Sequence, residues 1–182
     1  MDWGTLVATV SGGSIAIAGT VLADYLRHRH DDDRSIGARR RAVYIEFITA
    51  AGACHARLRH IAQDPSAEPD LDAVTRAVLS DTGIYDARER LFIDAATAVA
   101  GAGQAMFEQL RNLQRAVAAG ASLTSPAFHD AYHLYIGSVW AYRVAVRQEL
   151  DGRSLSPATF GWDGWDGTDR CPLCRQAATS GT

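Results

Sequence analysis

Ser125-Pro126-Ala127-Phe128-His129-Asp130-Ala131-Tyr132-His133-Leu134-Tyr135-Ile136-Gly137-Ser138-Val139-Trp140-Ala141-Tyr142-Arg143-Val144-Ala145-Val146-Arg147-Gln148-Glu149-Leu150-Asp151-Gly152 carries the pattern on which the fold turns. Ser125 is a helix N-cap, and Pro126 sits in the first turn, where its missing N–H costs nothing. Phe128, Tyr132, Tyr135, Val139, Tyr142, Val146 and Leu150 then recur at steps of three and four, the seam of an amphipathic helix that Asp151-Gly152 ends. The aromatic density of this helix (Tyr132, Tyr135, Trp140, Tyr142) reads as core packing.

Such a seam needs partners, and three upstream segments supply them. Val43, Phe47, Ala50, Cys54, Leu58 and Ile61 form one stripe between Ala38 and Gln63, with Glu46 among apolar neighbours as a buried polar contact. The segment Asp64-Pro65-Ser66-Ala67-Glu68-Pro69 stops that helix. Asp70 caps the next, with Leu71, Val74, Val78, Tyr85, Leu91 and Phe92 inward and a kink or break at Thr82-Gly83. Asp94 is read as the cap of a further helix carrying Val99, Gly103, Met106, Leu110, Leu113 and Val117, closed by Gly120. No segment reads as a strand. The expectation is an all-α chain whose residues 38–151 form an antiparallel four-helix bundle.

The first stretch, Trp3 to Ala23, contains no ionisable side chain. As a helix it would run about 31 Å, close to the hydrocarbon thickness of a bilayer. A transmembrane anchor over residues 1–26 is therefore expected. A cleaved signal peptide would want basic residues where only Met1 and Asp2 stand, an interfacial helix would want a charged face, and a buried core helix remains the soluble alternative. Gly4, Ala8, Gly12, Ala16 and Thr20 form a small-residue row along one helix face, suited to packing against a second membrane helix and hence to a homo-oligomer or a membrane partner. Arg27, Arg29, Arg34, Arg39, Arg40 and Arg41 follow the anchor, and the juxtamembrane segment 27–37 also holds His28 and His30. By the positive-inside rule the body lies on the cytoplasmic side of a single-pass cell-membrane protein, with the N-terminus outside.

Composition narrows the function classes. The net charge of −3 gives the chain no field for nucleic acid, and every basic residue is arginine. Three cysteines do not make a disulfide framework and suit a reducing compartment. No Glu-x-x-His pair marks a di-iron site, and Gly101-Ala102-Gly103 lies inside a helical pattern rather than after a strand.

Residues 152–182 change character and read as a flexible Gly/Trp/Cys tail. Trp162 and Trp165, in Gly-Trp-Asp-Gly-Trp-Asp-Gly, either dock back on the bundle or serve as a short motif for a partner. Cys171-Pro172-Leu173-Cys174 has the spacing of half a zinc tetrahedron or of a thiol–disulfide pair. The other two zinc ligands would come from a second copy or from histidines of the bundle. His129 and His133, one helical turn apart, have metal-ligand spacing, although Asp130 stands where zinc proteases carry Glu.

Residues Met1 to Asp24, Arg39 to Phe47, Phe128-His129-Asp130-Ala131-Tyr132-His133 and the closing Cys-Pro-Leu-Cys together resemble small N-terminally membrane-anchored helical proteins of high-GC Gram-positive bacteria that begin with a Gly-rich span. The resemblance implies the architecture and no activity. The functional expectation is a membrane-tethered, non-catalytic interaction or assembly module. The alternatives are a zinc-binding or thiol-redox sensor or enzyme using Cys171 and Cys174 with His129 and His133, and a self-associating membrane-active oligomer.

Overall fold

The computed structural model describes residues 34–180, with side chains to residue 176. The anchor expected at Trp3 to Ala23, its small-residue row, and Arg27, His28, Arg29 and His30 lie outside the described residues. Among those described, no helix is long and apolar enough to cross a membrane, and there is no strand. The chain divides into two compact units, Met1–Arg39 and Arg40–Thr182. In the first, residues 34–39 are helical. The second is an all-helical bundle of α1 (residues 40–61), α2 (Leu71–Asp81), α3 (Ile84–Asp94), α4 (Thr97–Ala118) and α5 (Pro126–Asp151), followed by a short α6 (Pro172–Ser180).

Long-range contacts give the directions. Tyr135 Oη donates to the Ala51 carbonyl and Tyr142 Oη to the Tyr44 carbonyl, so α5 runs against α1. Gln114 of α4 donates to Thr75 of α2, and Arg88 of α3 donates to Gln104 of α4, so α2 and α3 together run against α4. The broken pair α2–α3 thus fills the place of one helix beside α1, α4 and α5. The break falls at Thr82-Gly83, where Gly83 takes a φ of 69°, a left-handed backbone that glycine tolerates best. The stripes expected on α1 and α4 are the core: Phe47, Cys54, Leu58, Val99, Met106, Leu110, Leu113 and Val117 are all buried. Gly120 ends α4 in a Schellman motif, in which the Ala121 N–H reaches the Ala116 carbonyl and the Gly120 N–H reaches that of Val117.

Within the bundle, three expectations need correction. Asp94 does not cap α4. It is the last residue of α3, its carbonyl accepts a hydrogen bond from Arg40 Nε at 3.1 Å, and α4 begins after Ala96 with no side-chain cap. Tyr85 and Phe92 are 42% and 40% exposed, because the helix restarts after Gly83: Tyr85 meets the Phe107 ring edge-on, and the Arg88 guanidinium lies 4.7 Å from the Phe92 ring. Glu46 is an exposed ion pair with Arg90 at 2.8 Å, not a buried contact.

The tail read as flexible packs on the bundle. Pro157–Phe160 and Thr168–Arg170 form 3-10 turns, and Trp165 stacks on Trp140 of α5 with ring centroids 4.8 Å apart. Trp162 meets Trp140 edge-on at 5.3 Å and stacks on Phe160, while the Arg170 guanidinium lies 3.8 Å from the Trp162 ring. Gly137 lies at this crossing, where an added Cβ would sit at ordinary contact distance, 3.6 Å, from Asp166 Cα. Aromatic burial and cation–π contact supply what the polar composition of the tail conceals.

A buried phenol network links α1 to α5. Tyr44 Oη donates to Glu149, at 2.7 Å from Oε1 and 2.8 Å from Oε2, and Arg40 Nη1 lies 3.1 Å from Glu149 Oε1. Burial first, then the hydrogen bond to Glu149 and its charge, push the Tyr44 phenol from 10.0 up to about 12. Burial also pushes Tyr135 and Tyr142 up. The folded state prefers the neutral phenol, so this stability is fully present below pH 10 and is lost as pH rises through 12. Unfolding free energy is expected to hold steady to pH 10 and then fall by up to about 1.4 kcal/mol per pH unit per phenol. Absorbance of tyrosinate recorded beside helical circular dichroism checks this. Early ionisation with helicity intact would contradict it.

Candidate metal centre

His129 and His133 lie near the start of α5, whose Ser125 cap accepts the Phe128 N–H at 3.3 Å. At one-turn spacing their rings share a face, with centroids 5.7 Å apart. Opposite them the docked tail presents Cys171, just before α6, and Cys174 in its first turn. Cys171 Sγ lies 3.5 Å from His129 Nδ1. Cys174 Sγ lies 3.8 Å from the same nitrogen and 3.2 Å from His133 Nε2. One ligand atom from each of the four residues falls within 4.8 Å of every other. A zinc tetrahedron with ordinary Zn–S and Zn–N bonds has S···N edges of about 3.6 Å. This His2Cys2 cluster could hold a metal ion.

The outer nitrogens decide how the rings are presented. His129 Nε2 lies 2.9 Å from the Leu123 carbonyl, and His133 Nδ1 lies 2.8 Å from the Asp166 carbonyl. A carbonyl oxygen only accepts, so each outer nitrogen carries the proton. This leaves His129 Nδ1 and His133 Nε2 facing the sulfurs, each a lone pair for a metal when its ring is neutral and a donor to a thiolate when it is not. Metal-bound histidines characteristically have their second nitrogen tied in this way.

The thiols are unequal. Burial pushes Cys171 up, but the Cys174 N–H, the His133 and Cys174 side chains and the Leu173 N–H outweigh it and bring it from 9.0 to about 6. Burial, then the hydrogen bond and charge of Cys171, push Cys174 up. One sulfur is thus poised as a thiolate and the other as a thiol, whose proton a metal would displace. Cys54 stands apart, buried under α2 with its Sγ 2.9 Å from Thr82 Oγ1.

The sequence singled out all four residues, with each pair also open to an idle reading, and left their meeting open; the structure brings both pairs together within one chain. It gave no sign of the Leu123 and Asp166 carbonyls as outer partners, because backbone groups leave no mark in residue type. The only available signal was arithmetic: two histidines on one face and two cysteines at metal spacing make four ligands. No protein-family model matches this chain. No curated protein and no solved structure matches it either. The reading of the centre therefore rests on its chemistry. Asp130, one residue from His129, is exposed and contributes only charge near Cys174.

Proposed function

We propose that this protein is a zinc-stapled helical interaction module, in which the metal fastens the C-terminal segment to the start of α5. The observation that carries the reading is the pair of outer hydrogen bonds to Leu123 and Asp166, which turn two lone pairs toward two sulfurs. Two thiolates and two imidazoles favour zinc over harder cations. Four protein ligands close the tetrahedron, the arrangement of structural rather than catalytic sites, and so favour binding over turnover.

Elemental analysis of the purified full-length chain tests this. One zinc per chain, lost when both cysteines become serine, is the expected result. A metal-free chain in which Cys171 and Cys174 cycle as a dithiol would overturn it in favour of redox chemistry. Tethering of the module at a membrane through Trp3 to Ala23 is supported by the uncharged length of that stretch. After alkaline carbonate washing, full-length protein is expected to stay in the membrane pellet. Full-length protein in the soluble fraction would place the stretch in a protein core or an oligomer interface.

A further inference from the structure

Against the His2Cys2 cluster, with His129, His133 and Cys171 among its lining residues, lies a cavity of about 530 Å³, a size typical of small-molecule pockets. Its walls come from Arg59 of α1, from Phe128, Tyr132 and Ile136 of α5, from Leu123 before α5, and from Arg170 of the tail. The Phe128 and Tyr132 rings stack with an interplanar angle of 14° and centroids 5.8 Å apart, giving the cavity an aromatic side.

Two cations line this largely apolar space. Arg59 is exposed and has no carboxylate or hydrogen-bond partner among the described residues. Arg170 Nη1 is buried without a hydrogen-bond acceptor; it forms an ion pair at 3.6 Å with Asp169 Oδ1, which is likewise buried without a donor, so neither atom is hydrogen-bonded. Asp166 also lines the cavity, but its Oδ1 already accepts the Thr168 N–H at 3.1 Å. Buried guanidinium N–H groups are costly to leave unpaired, and a carboxylate satisfies them by charge-assisted hydrogen bonds.

We propose that this cavity binds a small aromatic carboxylate, its flat body against Phe128, Tyr132 and Ile136 and its charge between Arg59 and Arg170. The proposal rests on the zinc reading in that three of the four candidate ligands, His129, His133 and Cys171, lie on the cavity wall, so the staple holds that wall in place.

Titration calorimetry on the zinc-loaded full-length chain tests it, with 1-naphthoate as probe and the uncharged 1-naphthamide as its match in shape. Naphthoate is expected to bind about tenfold tighter than the amide, since a hydrogen bond to a charged group is worth about that factor or more. Arg59→Ala is expected to remove most of this preference and leave amide binding unchanged, and Arg59→Lys to restore part of it. Arg59 is exposed, so these variants should fold, and circular dichroism verifies that. Equal affinity for the two probes, no binding of naphthoate, or indifference to Arg59→Ala would each overturn the proposal. Stoichiometric zinc without naphthoate binding would sink the cavity alone. Naphthoate binding that depends on Arg59 in a chain that takes up no zinc would sink the staple and leave the cavity standing.

Discussion

Changing Cys171 and Cys174 together to serine is expected to abolish zinc binding and release the segment after Gly152 while α1 to α5 stay folded. The bundle core does not need the two sulfurs: Phe47, Leu58, Leu91, Leu110 and Val117 are buried among apolar side chains of the bundle. The tail, by contrast, is held by the aromatic stack on Trp140, the His133–Asp166 hydrogen bond and the His–Cys contacts. A ligand at a thousand times its dissociation constant stabilises the state that binds it by about 4 kcal/mol. Removing it therefore lowers the stability of the docked tail by about that amount. The readouts are a shift of tryptophan fluorescence as Trp162 and Trp165 leave Trp140, and protease cleavage between residues 152 and 171. A chelator should reproduce the effect. Cys54→Ser is the control: its sulfur faces Thr82 and Val78, so zinc content should not change. Zinc retained by the double variant would remove the staple from consideration.

Gly103→Val should cost more than any exposed change on the same helix. Replacing a mid-helix glycine normally gains up to about 1 kcal/mol. Gly101 shows that ordinary case, since it is exposed and an added Cβ there meets nothing within 4 Å; Gly101→Ala should therefore stabilise. At Gly103 an added Cβ would collide with Leu91 Cδ2 and press on Phe47 Cε1 at 3.3 Å and Tyr142 Cε2 at 3.4 Å. Those three side chains come from α3, α1 and α5, and none is more than 1% exposed. A close-packed core has no space for them to yield into. The expected loss for valine is about 3 kcal/mol, at the upper end of overpacking penalties. Urea unfolding would show it as a lowered midpoint at unchanged slope. Leu91→Ala in the same chain should recover part of it, so the double change costs less than the sum of the two.

The helical bundle was legible because burial on a helix repeats every three or four residues, and α1 and α4 each keep that rhythm without interruption. What the pattern misjudged was decided across the fold. Asp94 has the residue type of a cap, yet α3 runs through it because Arg40, far away in sequence, bonds its carbonyl. Tyr85 and Phe92 match the apolar rhythm only if α2 and α3 are one straight helix, which Gly83 prevents. The tail looked too polar to fold because its three large aromatics, Phe160, Trp162 and Trp165, need a fourth, Trp140, from another element. The cluster was half visible twice over. Local spacing showed each ligand pair, but pairing Cys174 with His133 spans 41 residues, and only the docked tail closes that distance.

Leu123 carries a consequence beyond the cluster it serves. Its carbonyl accepts the His129 N–H, and its own N–H donates to the Ala62 carbonyl at 2.9 Å, just past the end of α1. A single peptide residue thus joins the end of the first long helix to a ring of the His2Cys2 cluster. Local opening of the loop between α4 and α5 must break both bonds, and an ion that fixes the His129 ring makes that opening rarer. The exchange of one backbone amide with solvent deuterium is then a meter of site occupancy: the Leu123 N–H should exchange more slowly with zinc than without it.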